Sequence, residues 1–353
     1  MSKKILITGN EAMAEGAIQA GCRFYAGYPI TPQNEIPAYM SRRMPEVGGI
    51  FIQAESELSA INMVFGAAAA GALAMTSSSS PGMSLKQEGI SYIAGADLPA
   101  VIVNVMRGGP GLGNIWPAQS DYFQATRGGG HGDYHPIVLA PSSVQEAYEL
   151  MIRAFDLANR YRSPVIILGD GMLGQMMEPM VIKSKIKNSK SKIKPWALTG
   201  CKGRKPNIVK SFYMKEGDLE TFNLKLQNKY RQIQEKEQLS ESLFLDDAKV
   251  ILVAYGSMAR IVKSAVSKLR QKHKKVGLIR PITLWPFPRK IFQGLAARSK
   301  DLKFLVIEMS YGQMIEDVQL VLNGKFGVEF IGRAGGGIPA EEQITDKILK
   351  LLN

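Results

Sequence analysis

Short apolar runs alternate with helix-like segments through the first half of the chain. The runs that read as strands are 5–8, 50–53, 74–77, 100–105, 137–139 and 165–168. The segments with a helical pattern between them are 11–20, 56–71, 82–96 and 143–161. This alternation is typical of a parallel sheet with helices packed against it. We therefore expect an α/β fold with a mainly parallel sheet.

A second α/β unit begins near residue 246. Its strand-like runs are 250–254, 276–279 and 304–308, with a helix predicted at 260–270. Before it lies a helix-like segment, 218–238, so polar that a bridge or interaction arm is favoured over a core helix. The pattern predicts three regions: a first domain at 1–182, a basic linker with the polar helix at 183–245, and a second domain at 246–353.

The composition is that of a folded globular protein, with 353 residues, 45% hydrophobic and 21% charged. Because no window reaches about eighteen uninterrupted apolar residues, we expect no membrane span. The first apolar run is also too short for a signal-peptide core, so the expected location is cytoplasmic.

Cys22 and Cys201 are the two cysteines. Iron–sulfur clusters usually need about four thiolates, so we expect any cluster to lie on another subunit.

The net charge of +13 raises the question of nucleic-acid binding. Much of the excess positive charge lies in 183–205, a stretch rich in Lys, Ser, Gly and Pro. Few aromatic residues accompany it and no nucleic-acid motif is visible, so a solvated linker is the better interpretation. We expect no nucleic-acid partner and consider acidic partner proteins the better explanation of the charge.

Tyr28-Pro29-Ile30-Thr31-Pro32 follows a strand-like Phe24-Tyr25 and precedes a helix predicted to start near Pro32. Two prolines fix φ at two positions, so the segment is expected to be a rigid turn with Thr31 at a helix N-terminus. Free N–H groups at such a terminus suit an anion. The residues alone leave open whether Thr31 binds a ligand or merely caps the helix.

Two acids, Glu55 and Glu57, stand where the strand 50–53 ends and a helix begins. The carboxyl end of a strand is the usual ligand-binding edge of an α/β sheet. Helical periodicity aligns Glu57 with Ile61 and Val64, so its carboxylate would be desolvated, a condition for handling protons. The alternative is that both acids are simply favoured by the helix dipole.

Two further strand ends bear candidate ligands. The hydroxyl-rich turn 76–82, with Ser79 and Ser80, predicts either a polar pocket or a helix cap. Arg107 opens a glycine-rich loop and is placed for bidentate contact with a carboxylate. The segment 131–135 contains two histidines and an aspartate but no fourth metal ligand, and Gly169-Asp170-Gly171 lacks the Asn pair of a thiamine-diphosphate metal motif. We therefore expect the bivalent metal to be held elsewhere.

Taken together, 28–32, 53–57, 76–82 and 107–113 resemble the α, or pyrimidine-binding, subunit of thiamine-diphosphate-dependent 2-oxoacid:ferredoxin oxidoreductases. Within that family, 9–12, 27–36, 87–96 and 128–133 look most like the VorB-type subunit of 2-oxoisovalerate (3-methyl-2-oxobutanoate) oxidoreductase. The resemblance covers nearly the whole chain. The second unit is similar to the family's transketolase C-terminal-like domain, through 306–308 and Gly312-Gln313.

The resemblance implies a thiamine-diphosphate-binding fold and a cofactor shared between subunits. Glu57 matches the glutamate that hydrogen-bonds N1′ of the pyrimidine ring, and Thr31 and Arg107 match residues that hold the substrate carboxylate. The other positions implied to contact the cofactor are Tyr28, Pro29, Ile30, Ser79 and Ser80. The resemblance assigns the diphosphate and Mg²⁺ to a partner β subunit, and the iron–sulfur clusters to a further subunit.

The reaction implied is oxidative decarboxylation of a 2-oxoacid with coenzyme A, giving acyl-CoA, CO₂ and electrons for ferredoxin. A branched-chain 2-oxoacid is the expected substrate, ahead of 2-oxoglutarate and pyruvate. Two alternatives stay open: a transketolase-like thiamine enzyme without electron transfer, and a non-catalytic assembly subunit.

Overall fold

The computed structural model describes residues 4–182, 194–295 and 301–352. The expectations for residues 183–193, which form part of the basic linker, and for the first three residues lie outside these ranges.

Strands and helices alternate through the first described range. They are β1 (Lys4–Thr8), α1 (Gly9–Ala20), β2 (Phe24–Gly27), α2 (Glu35–Glu46), β3 (Ile50–Gln53), α3 (Glu57–Ala69), β4 (Ala74–Ser78), α4 (Ser80–Gly95), β5 (Ala100–Met106), α5 (Tyr122–Thr126), β6 (Ile137–Leu139), α6 (Val144–Tyr161), β7 (Pro164–Asp170), α7 (Gly171–Gln175) and β8 (Met177–Val181).

The remaining described ranges contain a long helix followed by a second set of alternating elements. They are α8 (Asp218–Lys236), β9 (Ser240–Leu243), β10 (Val250–Val253), α9 (Met258–Gln271), β11 (Val276–Pro281), β12 (Thr283–Trp285), α10 (Arg289–Gln293), β13 (Lys303–Glu308), α11 (Met314–Leu322), β14 (Gly327–Gly332) and α12 (Glu341–Leu352).

The larger sheet has seven strands in the order β12-β6-β7-β5-β4-β2-β3. All its neighbours are parallel except β12 and β6. The strands β4, β5 and β7 are buried along their whole length, and in β5 and β7 this burial appears in the sequence as the apolar runs 100–103 and 165–168. The predicted α/β class with a mainly parallel sheet is confirmed. Parallel pairing also places the carboxyl ends of β2, β3, β4 and β5 along one edge.

The first predicted strand does not belong to this sheet, contrary to our expectation. β1 pairs antiparallel with β8 in a separate two-stranded ribbon. Its burial explains the difference, because only one of its five residues is fully buried and Leu6 is 66% exposed. A central parallel strand would be covered on both faces.

The smaller sheet has five strands in the order β14-β13-β10-β11-β9, parallel except for β9. The strand β12 follows β11 in the sequence but does not belong to this sheet. It pairs with β6 and forms an edge of the larger sheet. One apolar cluster accordingly contains residues from both parts of the chain, such as Val138, Leu284 and Phe304. The two α/β units therefore share a continuous core, and the predicted domain limits stay a prediction.

The helix α8 is packed against the larger unit and is not a free arm. Leu226, Tyr230 and Ile233 are buried on one of its faces. From the same helix, the ammonium groups of Lys225 and Lys229 each bind Asp97 at 2.7 Å. The sequence suggested an arm because this apolar face is narrow and is flanked by lysines whose partners lie far away in the chain.

Residues 194–217, the described end of the basic linker, begin against the C-terminal end of α3. Ala197 is buried, and the N–H of Leu198 donates to the carbonyl oxygen of Ala69 at 2.9 Å. Residues 200–206 are exposed. This stretch is therefore attached to the surface at its start and solvated further on.

Among the helices of the described ranges, none combines the length and the apolar character that crossing a lipid bilayer requires.

Candidate active site

The carboxyl edge of the larger sheet brings four chain segments together. They follow β2, β3, β4 and β5, which lie side by side at one end of the sheet order. The loops and helix starts after these strands contain the predicted residues Thr31, Glu57, Ser79 and Arg107. An edge of this kind is where α/β sheets bind their ligands.

Glu57 is the first residue of α3, which Ser56 caps by accepting a hydrogen bond from the N–H of Ser59. Its side chain is buried, 6% exposed, as are Ile61 and Val64 on the same helical face. Among the described residues its carboxylate has no hydrogen-bond partner. This group is therefore placed to meet a donor from outside the described residues.

The carboxylate of Glu57 lies against Gly82, in the first turn of α4. A Cβ built on Gly82 would lie 2.9 Å from Cδ of Glu57, and closer still to Oε1 of Glu57 and Oγ of Ser78. Any larger residue would therefore displace these groups. The absence of a side chain at Gly82 leaves the space that the Glu57 carboxylate occupies.

The serines of the β4–α4 turn have different surroundings. The buried hydroxyls of Ser78 and Ser79 have no hydrogen-bond partner among the described residues. By contrast, Ser80 binds Oδ2 of Asp121 at 2.6 Å and the backbone of Arg107. Burial raises the pKa of Asp121, against the lowering effect of its bonds to Ser80 and Asn104. Ser79 is thus free to meet a ligand, whereas Ser80 holds the loop after β5 in place.

Thr31 and Arg107, predicted independently, lie together. The guanidinium of Arg107 donates from Nη1 to the carbonyl oxygen of Thr31 at 2.9 Å, and from Nη2 to that of Leu112 at 2.9 Å. The residue is 6% exposed, and its Nε is buried without a partner among the described residues. Arg107 therefore fixes two loops at the site edge and retains N–H groups for an anion.

The predicted start of the helix after Thr31 is wrong, because α2 begins at Glu35 after Asn34. A turn intervenes, closed by the N–H of Gln33 donating to the carbonyl of Ile30 at 3.1 Å. Thr31 therefore neither caps the helix nor lies at its N-terminus, and its Oγ1 accepts from the side chain of Asn34 at 3.3 Å. The anion argument for Thr31 now depends on its contact with Arg107 alone.

The turn before α2 is held by Gln33, which the sequence did not single out. Its side chain is fully buried, with Nε2 donating to the carbonyl of Tyr28 at 3.2 Å and Oε1 accepting from Ser77 at 2.5 Å. Tyr28 is 39% exposed, Pro29 is exposed and Ile30 is half-buried, so these three predicted residues lie at the mouth of the site.

Lys86 is a second residue that sequence reasoning missed. It is fully buried on α4, and its Nζ donates to Oγ1 of Thr76 at 3.1 Å and to the backbone carbonyl of Glu57 at 3.2 Å. Burial lowers its pKa to about 8, against the raising effect of the Glu57 charge. Its spacing from Met83 and Ile90, which places all three on one helical face, could have indicated the burial.

The other candidate residues have structural partners. Asp170 is buried, with Oδ1 accepting from the N–H groups of Met172 and Leu173 at 3.0 Å and Oδ2 from Oγ of Ser257 at 2.6 Å. His135 stacks on Trp285 with ring centroids 4.7 Å apart. Among the described residues there is no group of three His, Cys, Asp or Glu side chains that could hold a metal.

The segments of the second unit that suggested the family resemblance lie at the contact between the units. Glu308 is buried and accepts hydrogen bonds from the N–H groups of Gln313, Met314 and Ile315 at 3.0–3.1 Å. The side chain of Gln313 binds the carbonyl of Ser120 at 2.7 Å. Gln313 therefore joins the two units, whereas the hydrogen bonds of Glu308 hold the start of α11.

Family profiles match almost the entire chain. The thiamine-diphosphate-binding domain of pyruvate flavodoxin/ferredoxin oxidoreductases matches residues 15–241, and the core domain II of pyruvate:ferredoxin oxidoreductase matches residues 248–344. The chain belongs to the 2-oxoacid:ferredoxin oxidoreductase family and is an enzyme subunit of that class, as the sequence predicted.

Individual relatives agree with this assignment. The ketoisovalerate oxidoreductase subunit VorB of Methanothermobacter marburgensis is 50% identical over 98% of this chain and 97% of its own length. The 2-oxoglutarate synthase subunit KorA of Methanothermobacter thermautotrophicus is 37% identical over 99% of this chain and 100% of its own length. Both are named as subunits.

Solved structures show the same fold. The 2-oxoglutarate:ferredoxin oxidoreductase from Magnetococcus marinus, solved with 2-oxoglutarate, coenzyme A and succinyl-CoA bound, superposes with a TM-score of 0.87 at 27% identity. All of this chain is covered, and it spans 66% of that chain. A split-gene transketolase superposes with a TM-score of 0.59 at 13% identity, which shows a shared fold alone.

Proposed function

We propose that this chain forms the pyrimidine-binding half of a thiamine diphosphate site that is completed by a partner subunit. The main support is Glu57, a buried residue whose carboxylate has no hydrogen-bond partner among the described residues and lies beside the unpaired hydroxyl of Ser78. The hydroxyl of Ser79, the next residue, is also unpaired among the described residues. An aminopyrimidine offers ring nitrogens and an exocyclic amine, so its polar edge fits such a group of acceptors and donors.

Thiamine diphosphate, when bound, supplies the carbanion and the electron sink that decarboxylation of a 2-oxoacid needs. The protein's part is to bind, orient and manage protons. In this proposal, Glu57 holds a proton between its carboxylate and N1′ of the pyrimidine, and Ser79 and residues 28–30 contact the ring. Arg107 and Thr31 hold the substrate carboxylate, through the Nε and remaining N–H groups of Arg107 and Oγ1 of Thr31.

The rest of the machinery is proposed to lie on partner chains: the diphosphate site with Mg²⁺ on a β subunit, and the iron–sulfur clusters on a further subunit that reduces ferredoxin. The relatives are named as subunits, which supports a shared assembly. Three exposed apolar side chains of the loop after Arg107, Leu112, Ile115 and Trp116, also suit a covered surface. The cytoplasmic location stays a prediction.

The overall reaction proposed is a 2-oxoacid plus coenzyme A plus two oxidised ferredoxins giving acyl-CoA, CO₂, a proton and two reduced ferredoxins. We propose 3-methyl-2-oxobutanoate as the substrate, since the 50% identical relative is named for ketoisovalerate. 2-Oxoglutarate is the second candidate because relatives at 37% identity are named for it, and pyruvate is the third. A transketolase-like reaction without electron transfer is the alternative mechanism.

The test is viologen reduction by the complex reconstituted from this chain and its partner subunits, with each 2-oxoacid and with or without coenzyme A. We expect coenzyme A-dependent reduction that is fastest with 3-methyl-2-oxobutanoate. The same complex containing Glu57→Gln should lose several orders of magnitude in kcat, equivalent to about 3–5 kcal/mol of barrier.

Each outcome has a distinct meaning. Faster turnover with 2-oxoglutarate or pyruvate would replace the proposed substrate, and sugar-phosphate transfer without viologen reduction would favour the transketolase-like alternative. Near wild-type turnover by the Glu57→Gln complex would remove Glu57 from the mechanism.

A further inference from the structure

Lys86 is an unusual cation because its charged end is fully buried and has only neutral contacts. Its two acceptors, Oγ1 of Thr76 and the carbonyl oxygen of Glu57, are uncharged. Among the described residues it forms no ion pair within 4.0 Å. Removing an ammonium group from water costs several kcal/mol unless an opposite charge compensates.

The acid that interacts with this cation is Glu57. On the elements around α3 and α4, the ionisable groups of Tyr25 on β2, Arg107 after β5 and Asp121 before α5 already have hydrogen-bond partners. Lys86 and Glu57 thus interact as opposite charges, although they form no direct ion pair.

A second lysine shows what a purely structural role looks like in this fold. Lys229 on α8 is also largely buried, with its side chain 15% exposed, but its Nζ lies 2.7 Å from Oδ1 of Asp97. That pair joins α8 to Asp97, in the loop between α4 and β5. Lys86 instead donates a hydrogen bond to the backbone carbonyl of Glu57 itself, in the first turn of α3.

We propose that Lys86 is a positioning residue of the thiamine site, which fixes the first turn of α3 and supplies a positive charge that interacts with the Glu57 carboxylate, so that this carboxylate is directed at the cofactor space. This inference rests on the proposed role of Glu57. Without the ammonium group, the carboxylate would lose this positive charge and the first turn of α3 would lose one of its anchors. Both changes would impair proton transfer at N1′ of the pyrimidine.

The first test compares Lys86→Met, Glu57→Gln and the double variant in the reconstituted complex. We expect Lys86→Met to lower kcat about 10- to 100-fold with a smaller change in KM, since it removes orientation and charge but no direct contact. Because Lys86 acts through Glu57, the double variant should be no slower than Glu57→Gln alone. Multiplied losses, or wild-type kcat in Lys86→Met, would overturn the inference.

The second test needs no cofactor and uses the full chain. A buried lysine with a lowered pKa makes the folded state gain stability as pH rises from about 8 towards the unfolded value of 10.5. Urea unfolding between about pH 7 and pH 10 should show this rise in wild type and not in Lys86→Met. In Glu57→Gln the rise should begin at lower pH, because the compensating negative charge is gone. An unchanged profile in Glu57→Gln would refute the coupling.

Two further variants keep the tests decisive. If Lys86→Met does not fold, Lys86→Gln removes the charge while retaining a donor; the same kcat loss supports the inference, and full activity overturns it. Lys229→Met is the matched control, for which we expect lower stability with unchanged kcat. If Glu57→Gln retains activity, the proposed function fails. If Glu57→Gln loses activity and Lys86→Met does not, the positioning role of Lys86 alone fails.

Discussion

The substitution Gly82→Ala tests the space beside Glu57 with a single methyl group. The new Cβ would lie 2.9 Å from Cδ of Glu57 and closer to Oε1 of Glu57 and Oγ of Ser78, where ordinary contacts begin at 3.4 Å. The Glu57 carboxylate and the Ser78 hydroxyl must therefore move, the carboxylate by roughly 0.5–1 Å.

The magnitudes favour a large effect on activity and a small one on stability. Alanine in place of a helical glycine gains about 0.5–1 kcal/mol, whereas overpacking costs about 1–3 kcal/mol. The free energy of unfolding should thus fall by no more than about 2.5 kcal/mol. A misplacement of about 1 Å in a catalytic group can lower kcat about 100-fold.

The assay is viologen reduction by the reconstituted complex, with urea unfolding of the same variant. Gly327→Ala is the control, because Gly327 begins β14 and a methyl group there would meet no atom within 4 Å, so we expect its kcat to be unchanged. A folded Gly82→Ala complex with kcat within about twofold of wild type would refute our account of the Glu57 site.

Two predictions concern the attachment of α8. Asp97→Asn should destabilise the chain by about 1–3 kcal/mol near neutral pH by removing charged bonds to Lys225 and Lys229. Burial by itself would raise the pKa of Asp97, but these lysines lower it below its ordinary value of 3.8. The difference from wild type in the free energy of unfolding, measured with urea, should therefore shrink as pH falls below about 4. A difference independent of pH would contradict the pairing. Leu226→Ala should lower the free energy of unfolding by about 2–4 kcal/mol. Leu224→Ala, at a position 58% exposed, should change it by no more than about 0.5 kcal/mol. Equal losses of stability would mean that α8 does not pack against the larger unit as described.

Most of the larger sheet could be predicted because its central strands are covered on both faces. Such strands contain apolar runs, as in β5 and β7. β12 could not be predicted, since its three residues lie within a proline-rich segment and pair with a strand remote in the sequence. The pairing of β1 with β8 could not be predicted either, because a short apolar run does not indicate which strand it will pair with.

The candidate site was predictable where chemistry coincides with a strand end. Glu57 and Arg107 both follow apolar strands closely, so parallel pairing alone brings them to one edge. Lys86 and Gln33 were missed because an isolated Lys or Gln is usually solvated. Their hydrogen bonds depend on partners that only the folded chain brings near, Thr76 for Lys86 and Ser77 for Gln33.

The position of β12 affects how the polypeptide acquires its structure during synthesis. Until the ribosome has released Trp285, β6 is an open strand edge, and such edges invite pairing with other chains. The larger sheet is therefore incomplete until the second part of the chain, which contains β12, has been synthesised. The two family profiles meet near residue 245, yet the sheet of the first region is completed by a strand from the second.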